Sequence, residues 1–293
     1  MGEYTHHDAR HGRWVARWTL LRRNPGGALG LAGVLSIVAL VLVGPLIVPL
    51  DAATHLDRIY QPPTWNYPLG TDSQGRDTFS QIVHGGRSLL WVAAAAAALS
   101  TAIAVALGSL AALAGGRTGG LIMAATDIVL TVPHFPLLAV LAAFLRLQSE
   151  TLLAVILGLL SWPTLARAVR AQVLSLKSRE FVEAAQALGF GRGHIIAHEI
   201  LPNLRSYVAI SFVLATTQAL YAQVGLVFLG LVPLASQHWG VMIQYGWARG
   251  AIFHSDSVYS ILAPIGAIAW LKLSLVSMAG LFDDMFNPRL LGT

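Results

Sequence analysis

The chain has 293 residues, of which 55% are hydrophobic and only 11% are charged. Soluble domains average about 25% charged residues, so this composition indicates a protein that lies largely in a lipid bilayer. The chain contains no cysteine, which excludes disulfides, thiolate metal sites and cysteine nucleophiles.

Six apolar stretches are candidates for membrane-spanning helices, each of which needs roughly 20 residues. They are 24–50, 88–116, 121–145, 151–166 with an extension past Arg167, 206–237 and 258–282. Long unbroken apolar runs are not typical of β-barrel strands, in which apolar and polar residues alternate. The first run is longer than the apolar core of a signal peptide, about 7–15 residues, so we expect it to be retained. The sequence therefore predicts an all-α membrane protein with six transmembrane helices.

The basic residues predict the orientation of these helices. With the N-terminus in the cytoplasm, thirteen Lys and Arg residues fall on the cytoplasmic side and five on the outer side. This distribution satisfies the positive-inside rule, and six spans place both termini in the cytoplasm. We expect long outer segments at about 51–87 and 232–257 in a transmembrane domain covering residues 26–293.

Residues 1–25 are predicted to form a cytoplasmic tail. Trp14, Trp18 and Leu21 are spaced as on one face of a helix, and basic residues lie beside them. This pattern favours a short amphipathic helix on the inner leaflet. A disordered basic tail is the alternative.

A short charged segment at about 177–202 interrupts the apolar runs. Ser178 is a suitable N-cap, and Glu180 follows in the first turn, where the helix dipole favours a carboxylate. One apolar face is predicted for Phe181, Ala184, Ala185 and Leu188. Gly189 stands where a glycine ends many helices. We expect a second short helix from Arg192 to Leu201, followed by Pro202 at the start of the next span.

This helical pair is predicted to face the cytoplasm. An amphipathic helix with a small-residue centre suits docking into a groove of another protein. It could equally be a connector that packs beneath its own bundle. The residues alone leave both interpretations open.

The segment EAAQALG, followed by nine residues and then EILP, resembles the EAA loop of ATP-binding-cassette importer permeases. The residues on the motif are Glu183, Ala184, Ala185, Gly189, Leu201 and Pro202. Glu199 stands where that family often has isoleucine. Further stretches are similar to the C-type membrane subunit of the dipeptide, oligopeptide and nickel permease group: PLGTDSQGRDTFSQIVHGGRSLL (68–90), DIVLTVPHFPLL (127–138), VGLVFLGL (224–231) and NPRL (287–290). PLASQHWGVMIQYG and LFDDMFNPRL depart from the usual pattern of the group.

The resemblance implies a type I importer transmembrane fold and a role as a non-catalytic permease subunit. It implies a coupling helix in which Phe181, Leu188 and the motif residues contact a separate ATPase. The expected partners are a second, homologous permease in a heterodimer, two ATP-binding subunits, an extracytoplasmic solute-binding protein and the bilayer, with no nucleic acid. ATP and Mg²⁺ would be bound by the partners, with no cofactor in this chain. The expected location is the bacterial or archaeal cell (inner) membrane.

The cargo implied by the resemblance is a dipeptide or oligopeptide, with nickel or another metal chelate as the alternative. A stand-alone secondary transporter or channel is the alternative from another class; internal inverted repeats would support it, and none is evident. An intramembrane enzyme is a third class, but the sequence contains no nucleophile–base motif that would support it.

Several motifs of ATP binding, catalysis and metal binding are absent. Neither of the two lysines completes the P-loop pattern G-x-x-x-x-G-K-[ST], and there is no G-x-S-x-G or H-E-x-x-H motif. His194 and His198 are four residues apart, but no third ligand is evident, so we predict no metal site.

Ionisable residues within membrane spans usually face the protein interior or a water-filled path. The six ranges, without the extension past Arg167, contain two charged residues, Asp127 and Lys272. They are therefore candidate pathway residues. Pro133 and Pro136 are expected to kink the third span.

Overall fold

In a computed structural model, residues 24–145, 147 and 149–286 are described, and this part of the chain is helical without a β-strand. The predicted amphipathic tail, up to residue 23, lies outside the described residues, as does NPRL at 287–290. The α-helices of the described part are α1 (Pro25–Leu42), α2 (Gly44–Ile47), α3 (Thr78–Ala114), α4 (Gly116–Thr131), α5 (His134–Leu145), α6 (Glu150–Lys177), α7 (Glu180–Ala187), α8 (Arg192–His194), α9 (Leu201–Phe228), α10 (Trp239–Ala248) and α11 (Val258–Phe286).

Six helical segments are long and apolar enough to cross a membrane when a bent pair is counted as one. Five are continuous: Pro25–Ile47, Thr78–Ala114, Glu150–Lys177, Arg192–Phe228 and Val258–Phe282. The pair α4 and α5 is the sixth and is bent by 76°. The all-α architecture with six spans is thus confirmed, and the third span is broken rather than merely kinked. Its break falls at Val132–Pro133, because proline has no N–H to continue α4 and disfavours helical geometry in the preceding residue.

The first and last spans pack closely through a stripe of buried glycines. Gly27, Gly30 and Gly33 lie along one face of α1. A Cβ atom on Gly30 would lie 2.4 Å from the backbone nitrogen of Met278, and one on Gly33 would lie 2.1 Å from Ser274 Oγ. Small residues allow such close contact between membrane helices, so α1 is held against α11.

The boundaries of the long segments on one side of the bundle differ from the predicted ones. The first of these segments is predicted to extend to residue 87, but α3 begins at Thr78. Asp77 caps this helix, because its carboxylate accepts hydrogen bonds from the backbone N–H groups of Phe79 (3.0 Å) and Ser80 (3.1 Å). The helix therefore begins at its capping residue, well before the apolar run. The second segment contains the short helix α10.

We call residues 48–77 together with 231–257 the cap, and residues 178–200, at the other end of the spans, the motif loop. Asp72 organises the first part of the cap. One of its oxygens accepts bonds from Arg76 Nη2 (2.7 Å) and Gln81 Nε2 (3.0 Å), and the other accepts bonds from backbone N–H groups within the same turn. Arg249 joins the two parts, because its Nη1 donates to Ser73 Oγ (2.5 Å).

The cap rests on α3 through a tryptophan and two glycines. Trp239 is fully buried, and its Nε1 donates to the carbonyl of Ile82 at 2.9 Å. A Cβ atom on Gly85 would lie 1.7 Å from the carbonyl oxygen of Gln237, and one on Gly86 would lie 2.8 Å from the Trp239 ring. The two glycines are therefore required for this contact.

His238 is buried beside this tryptophan and is held as a neutral ring. Its Nδ1 accepts a hydrogen bond from the backbone N–H of Gly240 (3.1 Å), so the neutral ring carries its proton on Nε2. Nε2 lies 2.9 Å from the side-chain amide of Gln223. With that amide oriented to present its oxygen, Nε2 donates to it. Burial lowers the pKa of His238 from 6.5 to about 4.

This buried histidine predicts a loss of stability in mild acid. Below pH 6.5 the unfolded chain binds a proton at His238 that the folded chain does not bind until about pH 4. The free energy of unfolding should therefore fall as the pH decreases through this window, by at most about 3 kcal/mol. The measurement is the thermal unfolding midpoint of the purified protein between pH 7 and pH 4.

The control is His238→Asn, whose amide oxygen can replace Nδ1 as the acceptor for Gly240 but does not titrate. The variant should lose less stability than the native protein across the same pH range. An equal decline in the two proteins would contradict the assignment.

Candidate functional site

The helix α7 is the central element of the motif loop, and its start differs from the predicted one. Its N-cap is Arg179, whose side chain makes no capping bond. Ser178 instead ends α6, so the prediction that Ser178 caps α7 is wrong. Glu180 and Glu183 lie in the first turn, where the helix dipole favours negative charge, and this compensates in part for the missing cap.

The end of α7 is as the sequence predicted. Gly189 has φ +80°, a left-handed conformation that residues with a Cβ atom rarely adopt. The N–H of Phe190 donates to the carbonyl of Ala185 (3.1 Å), and that of Gly189 donates to Gln186 (3.0 Å). These two bonds form a Schellman motif, so Gly189 both ends the helix and turns the chain.

The predicted second short helix is not separate from the following span. Helix α8 continues through a π-helical segment, Ile195–Ile200, into α9, and Arg192–Phe228 forms one span. The N–H of Leu201 donates to Ile196, five residues earlier. The following Pro202 has no N–H to donate, and a widened turn of this kind is one way in which a helix accommodates proline.

The two faces of α7 have different surroundings. Val182 and Ala185 are buried, with Ala185 only 4% exposed. They belong to a cluster at the motif-loop end of α3, α6 and α9, whose members are Ala112, Leu113, Val169, Val173, Val182, Ala185, Ile195, Ile200 and Leu204. Leu188 is 75% exposed.

This arrangement corrects one predicted contact residue. Phe181, Glu183 and Ala184 are exposed together with Leu188, whereas Ala185 faces its own chain. The sequence spacing gave a broad apolar face, and the structure divides it between a packed side and a free side. We name the free side, formed by Phe181, Glu183, Ala184 and Leu188, the outer face of α7.

Leu201 and Pro202 lie apart from this outer face. They line an apolar groove of about 860 Å³ between α9 and α3, whose other walls include Ala102 and Val105. The structure therefore does not bring all the motif residues into one surface. Gly189 ends α7, and Ala185 packs against the bundle. Leu201 and Pro202 form part of a second surface.

His194 and His198 stack with Phe190 on the exposed side of the motif loop. The ring centroids are 4.4 Å apart for Phe190 and His194, and 4.2 Å apart for the two histidines. Nearly parallel stacked rings do not direct two nitrogen lone pairs at one point. Within the described part of the chain, no group of three or more His, Cys, Asp or Glu residues is placed to hold a metal ion.

The two candidate pathway residues have different partners. Asp127 forms an ion pair with Arg167, whose Nε lies 2.9 Å from Asp127 Oδ1, and both side chains are about half exposed, at 53% and 52%. Lys272 Nζ lies 5.0 Å from the centre of the Tyr221 ring, which is a cation–π distance. The two residues are therefore not each other's counter-ion.

A cavity at the break in the third span, lined by both polar and apolar residues, was missed by sequence reasoning. It has a volume of about 300 Å³, and its lining includes His134, Ser161, Thr164 and Gln218. His134 Nε2 lies 3.3 Å from Ser161 Oγ. His134 and Ser161 each interrupt an apolar run, and that is the signal that could have identified them, whereas Gln218 directly follows Thr216 and Thr217 and does not stand out.

Six apolar spans, with an anchored, glycine-terminated amphipathic helix between two of them, define a multi-spanning membrane protein. The family comparisons narrow this class. Residues 104–291 match the model described as "Binding-protein-dependent transport system inner membrane component". Residues 12–63 match the "N-terminal TM domain of oligopeptide transport permease C". The chain belongs to the family of binding-protein-dependent transport system inner membrane components, as the resemblance in its motif implied.

Individual relatives align over most of the chain. A Brucella suis protein, by name a peptide permease, is 33% identical over 269 residues, covering 91% of this chain and 88% of the relative. The di/tripeptide transport system permease protein DppC of Pseudomonas aeruginosa is 31% identical, with coverage of 93% and 91%. The oligopeptide transport system permease protein OppC of Bacillus subtilis is 31% identical, with coverage of 80% and 77%.

The left-handed conformation of Gly189 predicts a position-specific effect of substitution. Gly189→Val should destabilise the end of α7 by about 1–2 kcal/mol, because a Cβ atom is disfavoured at positive φ. The measurement is amide hydrogen exchange across residues 180–190, which should become faster.

Gly191→Val is a matched control. A Cβ atom on either glycine would meet nothing within 4 Å, but Gly191 has φ −67°. Equal exchange in the two variants would show that backbone conformation at residue 189 does not hold α7 in place.

Proposed function

We propose that this chain is a permease subunit of an ATP-driven importer of dipeptides or oligopeptides. The observation that carries the proposal is the outer face of α7: an exposed apolar surface on a helix whose other side is packed onto three membrane spans. The names of the relatives support the peptide cargo, because each describes a peptide, di/tripeptide or oligopeptide permease. A nickel or metal-chelate cargo is the alternative within the same transporter type.

The outer face of α7 has the shape and chemistry of a coupling surface. Phe181 and Leu188 supply exposed apolar area on either side of Ala184, which allows a partner to approach closely. Glu183 is exposed beside them and can accept a hydrogen bond from a basic side chain or a backbone N–H. A helix with this pattern suits a groove on another protein, and the partner proposed is an ATP-binding subunit.

Hydrolysis of ATP is assigned to that partner. The sequence has no P-loop, so this chain is proposed to be non-catalytic, and ATP and Mg²⁺ are bound in the partner subunits. The complete assembly would contain two such subunits, a second homologous permease and an extracytoplasmic binding protein. The stand-alone transporter or channel remains the competing class, and it gives no role to the exposed side of α7.

Asp127 and Lys272 are proposed to lie beside the path through the membrane. A half-exposed ion pair such as Asp127–Arg167 is costly against lipid, which favours a position facing water or the second permease. Lys272 is partly exposed and lies over an exposed tyrosine on α9. Either residue could contact a charged group of a peptide.

Docking through α7 predicts a specific loss of the ATPase. In Ala184→Trp the bulky ring should block close approach, because residue 184 is exposed at the centre of the outer face. The subunit should insert into the membrane at normal levels but lose its ATPase on co-purification. The measurements are the amount of ATPase recovered with the tagged permease and the peptide-stimulated ATP hydrolysis in liposomes.

The matched control is Ala53→Trp, the same change at an exposed alanine in the cap. It should leave the ATPase bound. Normal co-purification and coupled hydrolysis in Ala184→Trp would show that α7 is only a connector.

The proposed orientation places the motif loop in the cytoplasm of a bacterial or archaeal cell and the cap outside. Single cysteines at Ser255 and Ser178, both exposed, should then differ in intact cells. An impermeant thiol reagent should label residue 255 and spare residue 178 until the membrane is opened. The native chain has no cysteine to confuse the result, and labelling of residue 178 from outside would reverse the orientation.

A further inference from the structure

The cavity at the break of the third span lies within a membrane-spanning segment. Polar side chains cost free energy there, and they are therefore expected to have a function. Helix α4 ends at Thr131 and α5 begins at His134, so the backbone between them is not helical. Non-helical backbone at membrane depth is tolerated where it is buried in protein or lines a water-filled cavity. The cavity of about 300 Å³ is lined by this break.

Four of the side chains that line the cavity are neutral hydrogen-bonding groups, and the other lining residues are apolar. Ser161 and Thr164 belong to α6, Gln218 belongs to α9, and His134 begins α5. Thr164, Gln218 and His134 are exposed in the isolated subunit. Polar side chains exposed at this depth would face lipid at considerable cost, and they are therefore expected to face a pathway or another subunit.

The polar surface continues in both directions from the cavity. Arg167 lies one helical turn beyond Thr164 towards the motif loop, and its partner Asp127 lies one turn from the cavity wall on α4. Tyr221 follows Gln218 by three residues on α9, which places the two on one side of that helix, and Lys272 lies over the Tyr221 ring. This polar surface thus joins the Asp127–Arg167 ion pair and Lys272 through neutral side chains.

We propose, on the basis of the function proposed above, that this cavity is the mid-membrane part of the peptide path and that Gln218, Ser161 and His134 contact the peptide backbone. A side-chain amide both donates and accepts, as does a hydroxyl group, so these residues match the N–H and C=O groups of any peptide bond. They carry no fixed charge to select one type of side chain. The contact therefore suits short peptides whose side chains vary.

The first test uses the absence of native cysteine. Gln218→Cys and Thr164→Cys are prepared in the complete transporter in liposomes and treated with a positively charged thiol reagent. Leu159→Cys is the control, because Leu159 is exposed on α6 at a similar depth but does not line the cavity. Residues 218 and 164 should react, residue 159 should not, and addition of binding protein with alanine tripeptide should slow the reaction at residue 218.

Failure of residues 218 and 164 to react would overturn the proposal. Reaction without protection by the peptide would also overturn it, because the cavity would then be wet but not on the peptide path. Absence of ATP-driven peptide uptake by the native complex would instead contradict the proposed function, whatever the labelling pattern.

The second test measures the contact itself. Gln218→Leu should reduce uptake by about two- to tenfold, as expected for the loss of one hydrogen bond, and to a similar extent for alanine, lysine and glutamate tripeptides. Gln218→Asn should restore part of the rate, and both variants should retain the ATPase on co-purification. Unchanged uptake in Gln218→Leu, or a defect limited to one peptide side chain, would overturn the backbone contact.

Discussion

The packing of Val182 and Ala185 against the bundle is the interaction on which the rest of the proposed mechanism depends. These two side chains fix α7 to the ends of α3, α6 and α9 in one apolar cluster. The same α6 and α9 carry Thr164 and Gln218 to the cavity at the break of the third span. A force applied to the outer face of α7 would therefore act, through this cluster, on helices that line the cavity.

At the other end of the bundle, polar and steric contacts add to the apolar packing. There the cap is held to α3 by backbone contact at Gly85, by the indole hydrogen bond of Trp239 and by the bridge from Arg249 to Ser73. These contacts are polar or steric, and Trp239 and Met242 of the cap also belong to the main apolar cluster of the bundle, whereas the cluster under α7 is apolar throughout. Together they define two well-packed ends, with the broken third span between them.

Much of this architecture is encoded locally and was predicted from the sequence. Apolar run lengths gave the six spans, Gly189 gave the end of α7, and Pro133 marked the position of the break. Each depends on the chemistry of one residue or on a stretch of hydropathy. The resemblance of the motif to the permease family was likewise readable within a short segment.

Features set by contacts between distant residues could not be predicted. The spacing at α7 did not show which apolar side chains would be covered, so Ala185 was placed on the wrong face. Arg167 lies forty residues from Asp127 in sequence, and nothing local joins them. The cavity is formed by residues from several helices. Its polar groups lie together because the bend between α4 and α5 places His134 beside Ser161, and this bend cannot be read from either helix alone.

The glycine stripe of α1 has a consequence for how the protein is made. During synthesis α1 emerges before the other described helices, but α11, the helix that its glycines fit, emerges after all of them. The first span must therefore remain in the membrane for most of translation without its main neighbour. Its mean hydropathy of 2.5 is the highest of the five continuous spans, which suits a segment that is stable in lipid alone. Its docking onto α11 would then be the closing step in assembly of the bundle.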